Sequence, residues 1–353
     1  MKLNTINLSD NLEYLKSLPD NSVDAIITDS PYGLGKKQNL IKILTAWLTV
    51  GYLEISGRGF MGKKWDAFVP QPILWKECLR FLKPGGYLVS FFGTRTYHLG
   101  ATAIEIAGFE VRDQIDWIYG NGFPKSRASL KPAHEPICIA KKPGPLVELN
   151  IDECRIEIKT GDRKGEFGPR ILENCTADKT KGIYGKFAGQ NVINNDIGRW
   201  PANVILDEDS ADELDAQTGM LNDCINRKTH VQSGLNTAFT THKTGQNTAT
   251  YNDIGGASRF FYCAKASPHE RQGFKHPTIK PVKLMIHLVK LFCPPGGVVV
   301  DPHCGTGPTL EACLEVGLNY IGIDNDPASV VEANTRIANW WKRNQNRVIK
   351  KSA

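Results

Sequence analysis

Two kinds of periodicity alternate along this chain, and a long stretch in the middle has neither. Short apolar runs bounded by turn residues predict buried strands at "VDAIIT" (Val23–Thr28), "YLVSFFG", "FEVRDQIDWIYG" and "HEPICIAKK", and again at "GVVVD" and "NYIGID". Apolar residues recur at helical spacing in Asn11–Leu18, "PILWKECLRFL", "YHLGATAIEIAG", "KPVKLMIHLVKLFC" and "SVVEANTRIANWWKRN". The "KPGG" after "PILWKECLRFL" reads as a proline-glycine helix stop, and Pro281 opens a helix where the first N–H groups lack intrahelical acceptors. Strands and helices in alternation predict an α/β fold, a doubly wound and mostly parallel sheet.

Between residues 143 and 258 the pattern lapses. Elements there are short, glycine and asparagine are frequent, and "SGLNTAFTTHKTGQNTATYNDIGG" is polar without any period, the texture of a long loop. The expected organisation is one sheet domain split by an insertion, with a first region at 1–142, an inserted module at 143–258 and a second sheet region at 259–353 that ends in a basic tail.

Composition narrows the class. Apolar residues at 41% and charged residues at 23% are ordinary for a globular protein. The most apolar stretch, "ILTAWLTVGYLEI", is too short and interrupted to cross a bilayer, and the opening residues lack the apolar core of a signal peptide, so no membrane partner is expected. Nine cysteines with no CxxC pair point to reduced thiols in a cytoplasmic setting and to no metal site. His98, His134, His276 and His303 are singletons, more simply packed or surface residues than ligands.

Charge placement says more than the net +6. Residues 33–64 hold Lys36, Lys37, Lys42, Arg58, Lys63 and Lys64 against Glu54 alone, and residues 331–353 hold six bases against Glu332, whereas residues 144–275 carry sixteen bases and eighteen acids. Basic stretches so placed favour a polyanion near the end of the Val23–Thr28 strand.

Two strand ends carry candidate chemistry. "VVVDPHCGTGPTLEAC" runs from an apolar strand through Asp301, Gly305 and Gly307 into a helix beginning at Pro308, and the next strand ends at Asp324, about twenty residues on. Glycines at such a turn let backbone approach a ligand, and an acid at that distance suits ribose hydroxyls. The third glycine of a dinucleotide site is missing, and Asp301 ahead of the turn suits a cationic nucleoside better than a pyrophosphate. The other strand end, "VDAIITDSPYGLG", delivers Asp29 and Tyr32 to the carboxyl rim where ligands of parallel sheets bind.

Asp-Ser-Pro-Tyr after one strand, "DPHCGTG" after another and "HPTIKPVKLM" ahead of the second together resemble the amino-group DNA methyltransferases. Because the catalytic motif precedes the cofactor motif, the likeness is to the permuted beta group. "NLSDNLEYLKSLPDNSVDAIITDSPY", "GFMGKKWD", "GNGFPKS", "KPAHEPICIAKKP" and "RWPANVI" strengthen it, and Ser30 and His303 stand where most members have Pro and Phe. The resemblance implies a Rossmann-like fold that binds S-adenosylmethionine and methylates an exocyclic amino group of a flipped-out base in double-stranded DNA. It assigns Asp29, Ser30, Pro31 and Tyr32 to catalysis, and Asp10, Asp301, His303, Gly305, Gly307, Asp324, Thr278 and Lys280 to the cofactor; Lys280 either reaches the cofactor carboxylate or is simply a lysine at a helix start. Asp at the first motif position favours adenine-N6 over cytosine-N4. An RNA substrate and a non-catalytic DNA-binding module are the remaining alternatives. The module at 143–258 would read DNA sequence, the enzyme would be a monomer or homodimer, and it would act either as an orphan or beside a cognate restriction endonuclease.

Overall fold

The computed structural model describes residues 1–59, 62–120, 122, 124, 127–157, 198–220, 255–264 and 279–351. Nine strands among them form one sheet: β1 (Thr5–Leu8), β2 (Val23–Asp29), β3 (Leu82–Phe91), β4 (Glu110–Ile118), β5 (His134–Lys141), β6 (Val204–Asp207), β7 (Tyr262–Ala264), β8 (Val298–Asp301) and β9 (Asn319–Asp324). Their order across the sheet is β1-β9-β8-β2-β3-β5-β4-β6-β7. Only the two pairings of β5, with β3 and β4, are antiparallel.

The sheet is wound on both faces. Ala25, Ile27, Val89 and Phe91 pack with Leu284, Met285 and Leu288 of α6 (Val282–Phe292) and Leu310 of α7 (Pro308–Val316). The alternate residues Ile26, Leu88 and Val300 pack on the opposite face. There they meet α1 (Asn11–Lys16), α2 (Leu40–Thr49), α3 (Pro72–Phe81) and α4 (Tyr97–Ile106). Strands buried on both faces account for the unbroken apolar runs. The strand following β8 in sequence lies on one side of it, and the strand following β2 lies on the other. The order therefore reverses between β8 and β2, and a crevice opens at their carboxyl ends.

The "KPGG" segment follows the end of α3, as its proline and glycines predict, and then also enters the next strand. Helix α3 stops at Phe81, and Lys83-Pro84-Gly85-Gly86 lies inside β3 as an irregularity. Leu82 sits opposite Val23, but Tyr87 sits opposite Ala25, so extra residues bulge out between them. Gly85 takes φ +81°, which a side chain would resist, and a Cβ there would come within 2.3 Å of the Pro145 carbonyl oxygen.

Parts of the 143–258 range lie within the same body. Val147, Leu149 and Ile151 pack on the α6 face, and Asn150 donates to the carbonyls of Lys290 (2.8 Å) and Cys293 (2.7 Å). An isolated antiparallel bridge joins Ile156 to Arg199. Beyond it β6 pairs with β4, followed by α5 (Glu208–Thr218), which is capped by Asp207. Asp215 of α5 accepts from the backbone and hydroxyl of Ser258, each at 2.7 Å. Residues 158–197 and 221–254 lie outside the described residues. Helix α8 (Pro327–Lys351) packs against α7 and β1, and among the described residues no helix is long and apolar enough to cross a membrane.

Candidate active site

Strand β2 ends where its alternation points Asp29 toward the α6 face, at the reversal point of the sheet. One carboxylate oxygen, Oδ2, accepts from Lys280 Nζ at 2.7 Å, while the buried Oδ1 has no hydrogen-bond partner among the described residues. Burial raises the Asp29 carboxyl above its ordinary pKa; Lys280 opposes this and Glu135 adds to it. An unpartnered buried acceptor costs free energy unless a ligand supplies the donor, so Oδ1 marks the place where an N–H group is missing.

The next three residues turn sharply. Ser30 is buried, and its hydroxyl faces into the sheet, where it donates to the Phe91 carbonyl (2.8 Å) and pairs with the Ser90 hydroxyl (3.0 Å). Tyr32 is half-buried rather than exposed; its hydroxyl donates to Glu135 Oε2 at 2.6 Å and accepts from Lys280 Nζ at 3.0 Å. Burial, together with the charges of Asp29 and Glu135, pushes the phenol well above its ordinary pKa, so it stays neutral. Thr96 bonds the Tyr32 carbonyl, and the buried carboxylate of Asp66 accepts from the backbone N–H groups of Gly33 (2.9 Å) and Leu34 (3.3 Å). The turn is therefore held from three sides.

Across the crevice the carboxyl ends of β8, β9 and β1 stand side by side. Leu8 pairs with Asp324, and Asp301 pairs with Gly322. Asp301 is almost fully buried, and burial pushes its carboxyl up to about 7 against hydrogen bonds from Thr309, Thr28 and the His303 backbone. Asp324 accepts from Gly305 N–H at 2.9 Å. Gly307 begins α7 at φ +79°, with its would-be Cβ 3.1 Å from that of Ala333, and Gly305 (φ +51°) has open space where a Cβ would stand. Asp10 caps α1 by accepting from Glu13 N–H (3.1 Å) and is exposed beside this rim. His303 is held between Asn11 Nδ2 (2.9 Å) and the Thr28 hydroxyl (3.3 Å); burial lowers its pKa to about 3, so it is neutral.

A family model described as DNA methylase, of the N6/N4 type, matches residues 23–335. The chain belongs to that family. Type II methyltransferase M.HindIII of Haemophilus influenzae is 24% identical over 335 residues, 90% of each chain. DNA adenine methyltransferase YhdJ of Escherichia coli K12 is 26% identical over 162 residues, 45% of this chain and 48% of that one. The solved structure of the PvuII cytosine-N4-specific DNA methyltransferase is similar in fold, with a TM-score of 0.50 at 15% identity over 95% of this chain and 86% of that one. Members of the family draw their methyl group from S-adenosylmethionine, and DNA is their substrate.

As a DNA methylase the chain brings together residues that its sequence holds far apart. Asp29, Ser30, Pro31 and Tyr32 share one rim with Asp10, Asp301, His303, Gly305, Gly307 and Asp324, whereas Thr278 lies outside the described residues. Lys280 is near this rim, but its contacts are to Asp29, Tyr32 and Glu135. Glu135 and Asp66 are absent from the sequence-based assignment. A signal for each exists in hindsight: an acid opening the "HEPICIAKK" strand, and the acid closing the basic "GKKWD".

Proposed function

We propose that this DNA methylase transfers a methyl group from S-adenosylmethionine to the N6 amino group of adenine. The observation that carries the reading is the unpartnered Oδ1 of Asp29 at the reversal point of the sheet, beside a rim of acids. Bound there, the cofactor supplies an electrophilic methyl on a cationic sulfur. The rim fits it: Asp10, Asp301 and Asp324 are carboxyl groups, His303 is neutral, and the space beside Gly305 lets backbone approach a nucleoside.

The base amino group is a poor nucleophile because its lone pair is delocalised into the ring. Asp29 Oδ1 accepts one of its N–H bonds, and a backbone carbonyl of Ser30 or Pro31 accepts the other. The nitrogen is drawn toward tetrahedral geometry with its lone pair free, so positioning and electrostatics carry the catalysis without a covalent intermediate. Because burial raises the Asp29 pKa, Oδ1 is also a competent acceptor for the proton that the nitrogen sheds. Tyr32 offers its ring to the extruded base.

Adenine is favoured over cytosine by Asp at position 29, and the E. coli relative is itself named an adenine methyltransferase. We assign sequence reading to residues 143–258, with the basic segment after Tyr32 meeting phosphate. The likeness to a type II methyltransferase supports a companion restriction endonuclease. The test is to incubate the protein with unmethylated phage DNA and labelled cofactor, then identify the product nucleoside by mass spectrometry. N6-methyladenine is expected, and N4-methylcytosine alone overturns the adenine assignment. Asp29→Ala should lower transfer at least a thousandfold with cofactor affinity within threefold of wild type.

A further inference from the structure

Lys280 lies just ahead of α6 with its side chain only 5% exposed, and its ammonium is surrounded by oxygens from three other segments. Nζ is 2.7 Å from Asp29 Oδ2, 3.0 Å from the Tyr32 hydroxyl and 3.1 Å from Glu135 Oε2. An ammonium has three N–H donors, so these partners use all of them. No donor is left for the carboxylate of a cofactor.

The same contacts decide what Asp29 can do. With Oδ2 occupied, the carboxylate cannot rotate freely, and its one unpartnered oxygen has a fixed place. Glu135, at the start of β5, balances the Lys280 charge and accepts a hydrogen bond from the Tyr32 hydroxyl at 2.6 Å, which sets the direction of the phenol. The Phe91 ring lies 5.0 Å from Nζ, giving the ammonium an aromatic neighbour in place of water. Without Lys280, two carboxylates would face each other in a buried site, and one of them would hold a proton.

We propose that Lys280 and Glu135 are positioning residues for the methyl-accepting base, Lys280 by orienting Asp29 and Tyr32 and Glu135 by anchoring Lys280 and Tyr32. The proposal deepens the methyltransferase reading above and rests on it. It removes Lys280 from the cofactor-binding set and makes the segment before α6 part of the base pocket.

The test compares Lys280→Gln, Glu135→Gln and the double variant with wild type in two assays. One is calorimetric binding of S-adenosylmethionine; the other is single-turnover transfer to unmethylated phage DNA at saturating cofactor. Lys280→Gln should bind cofactor within threefold of wild type while transferring at least a hundredfold more slowly. The double variant should transfer at least tenfold faster than Lys280→Gln, because it no longer opposes Asp29 with a second carboxylate. A purely structural role would not give that recovery. Cofactor affinity weakened tenfold or more in Lys280→Gln, or a double variant no faster than the single, overturns the proposal. Should Lys280→Gln fail to fold, Glu135→Gln decides: slowed transfer at unchanged cofactor affinity supports the pair, and unchanged transfer refutes it. If wild type methylates no DNA, the functional reading fails, while the binding assay still tells whether Lys280 holds the cofactor.

Discussion

A hydroxyl buried at position 30 needs partners, and Ser90 and the Phe91 carbonyl supply them. The departure from proline therefore leaves the turn intact. Under the proposed function, the Tyr32 ring receives the extruded base while its hydroxyl bonds Glu135 and Lys280. Tyr32→Ala should cost transfer roughly 1–3 kcal/mol, the range for a lost stacking partner, whereas Tyr32→Phe loses only the bonds to Glu135 and Lys280. Single-turnover rates check this, and equal losses in the two variants would refute a stacking role.

Asp301 gives a pH signature. Its folded-state value of about 7 lies well above the ordinary carboxyl value of 3.8, so the folded protein holds the proton more tightly than the unfolded chain. The stability this provides is complete below about pH 4 and is lost as pH rises through 7, by on the order of 4 kcal/mol. Asp301→Asn has no such loss. Urea unfolding without cofactor should show the variant gaining on wild type between pH 5 and pH 8, and a constant gap would contradict the burial argument. Ionising Asp301 also favours a cationic ligand, so S-adenosylmethionine should bind more tightly at pH 8 than at pH 6.

At the scale of elements, the Gly305–Gly307 turn is held from behind by α8. Arg336 is fully buried, donates from Nε to the Thr306 carbonyl (2.8 Å) and pairs with Glu311 of α7 (2.8 Å), which also meets Arg343 (2.6 Å). Breaking a buried pair from one side strands a charge, so Glu311→Gln should destabilise the fold by about 3–5 kcal/mol, measured by urea unfolding.

Elements with long, strong periodicity were readable beforehand: β2, α3, α4, β4, β5, α6, α7 and β9 all fall on segments whose pattern announces them. The short β1, β6 and β7 were not, because three or four residues give period-2 alternation too few positions to declare itself. The stop after α3 is legible in "KPGG", but the bulge these residues make within β3 is not, because only the register with β2 shows it. In the site, Asp29 and Asp301 were legible as acids ending apolar runs. Glu135 was not, since its role depends on β5 running against its neighbours.

Across the whole molecule, the Asp29–Tyr32 turn and the Gly305–Gly307 turn share one rim because β2 and β8 are neighbours in the sheet. Ile156 bridges Arg199 and Asp215 bonds Ser258 on this same body, and the region assigned to sequence reading also includes residues 158–197 and 221–254. Exchanging those two stretches for their counterparts in another methylase should change which sequence is methylated while leaving cofactor affinity as it was. Sequencing of modified DNA checks this, and an unchanged target would move recognition elsewhere.

The pairing of β1 has a consequence for how the molecule comes into being. Asn7 donates to the Gly322 carbonyl at 3.1 Å across 315 residues of chain, and among the described residues β1 pairs with β9 alone. On the ribosome, β1 must wait unpaired until β9 has emerged. Closing so long a loop is slow, so the rim formed by β1, β9 and β8 should mature late in folding, and a nascent chain released before β9 would lack that rim.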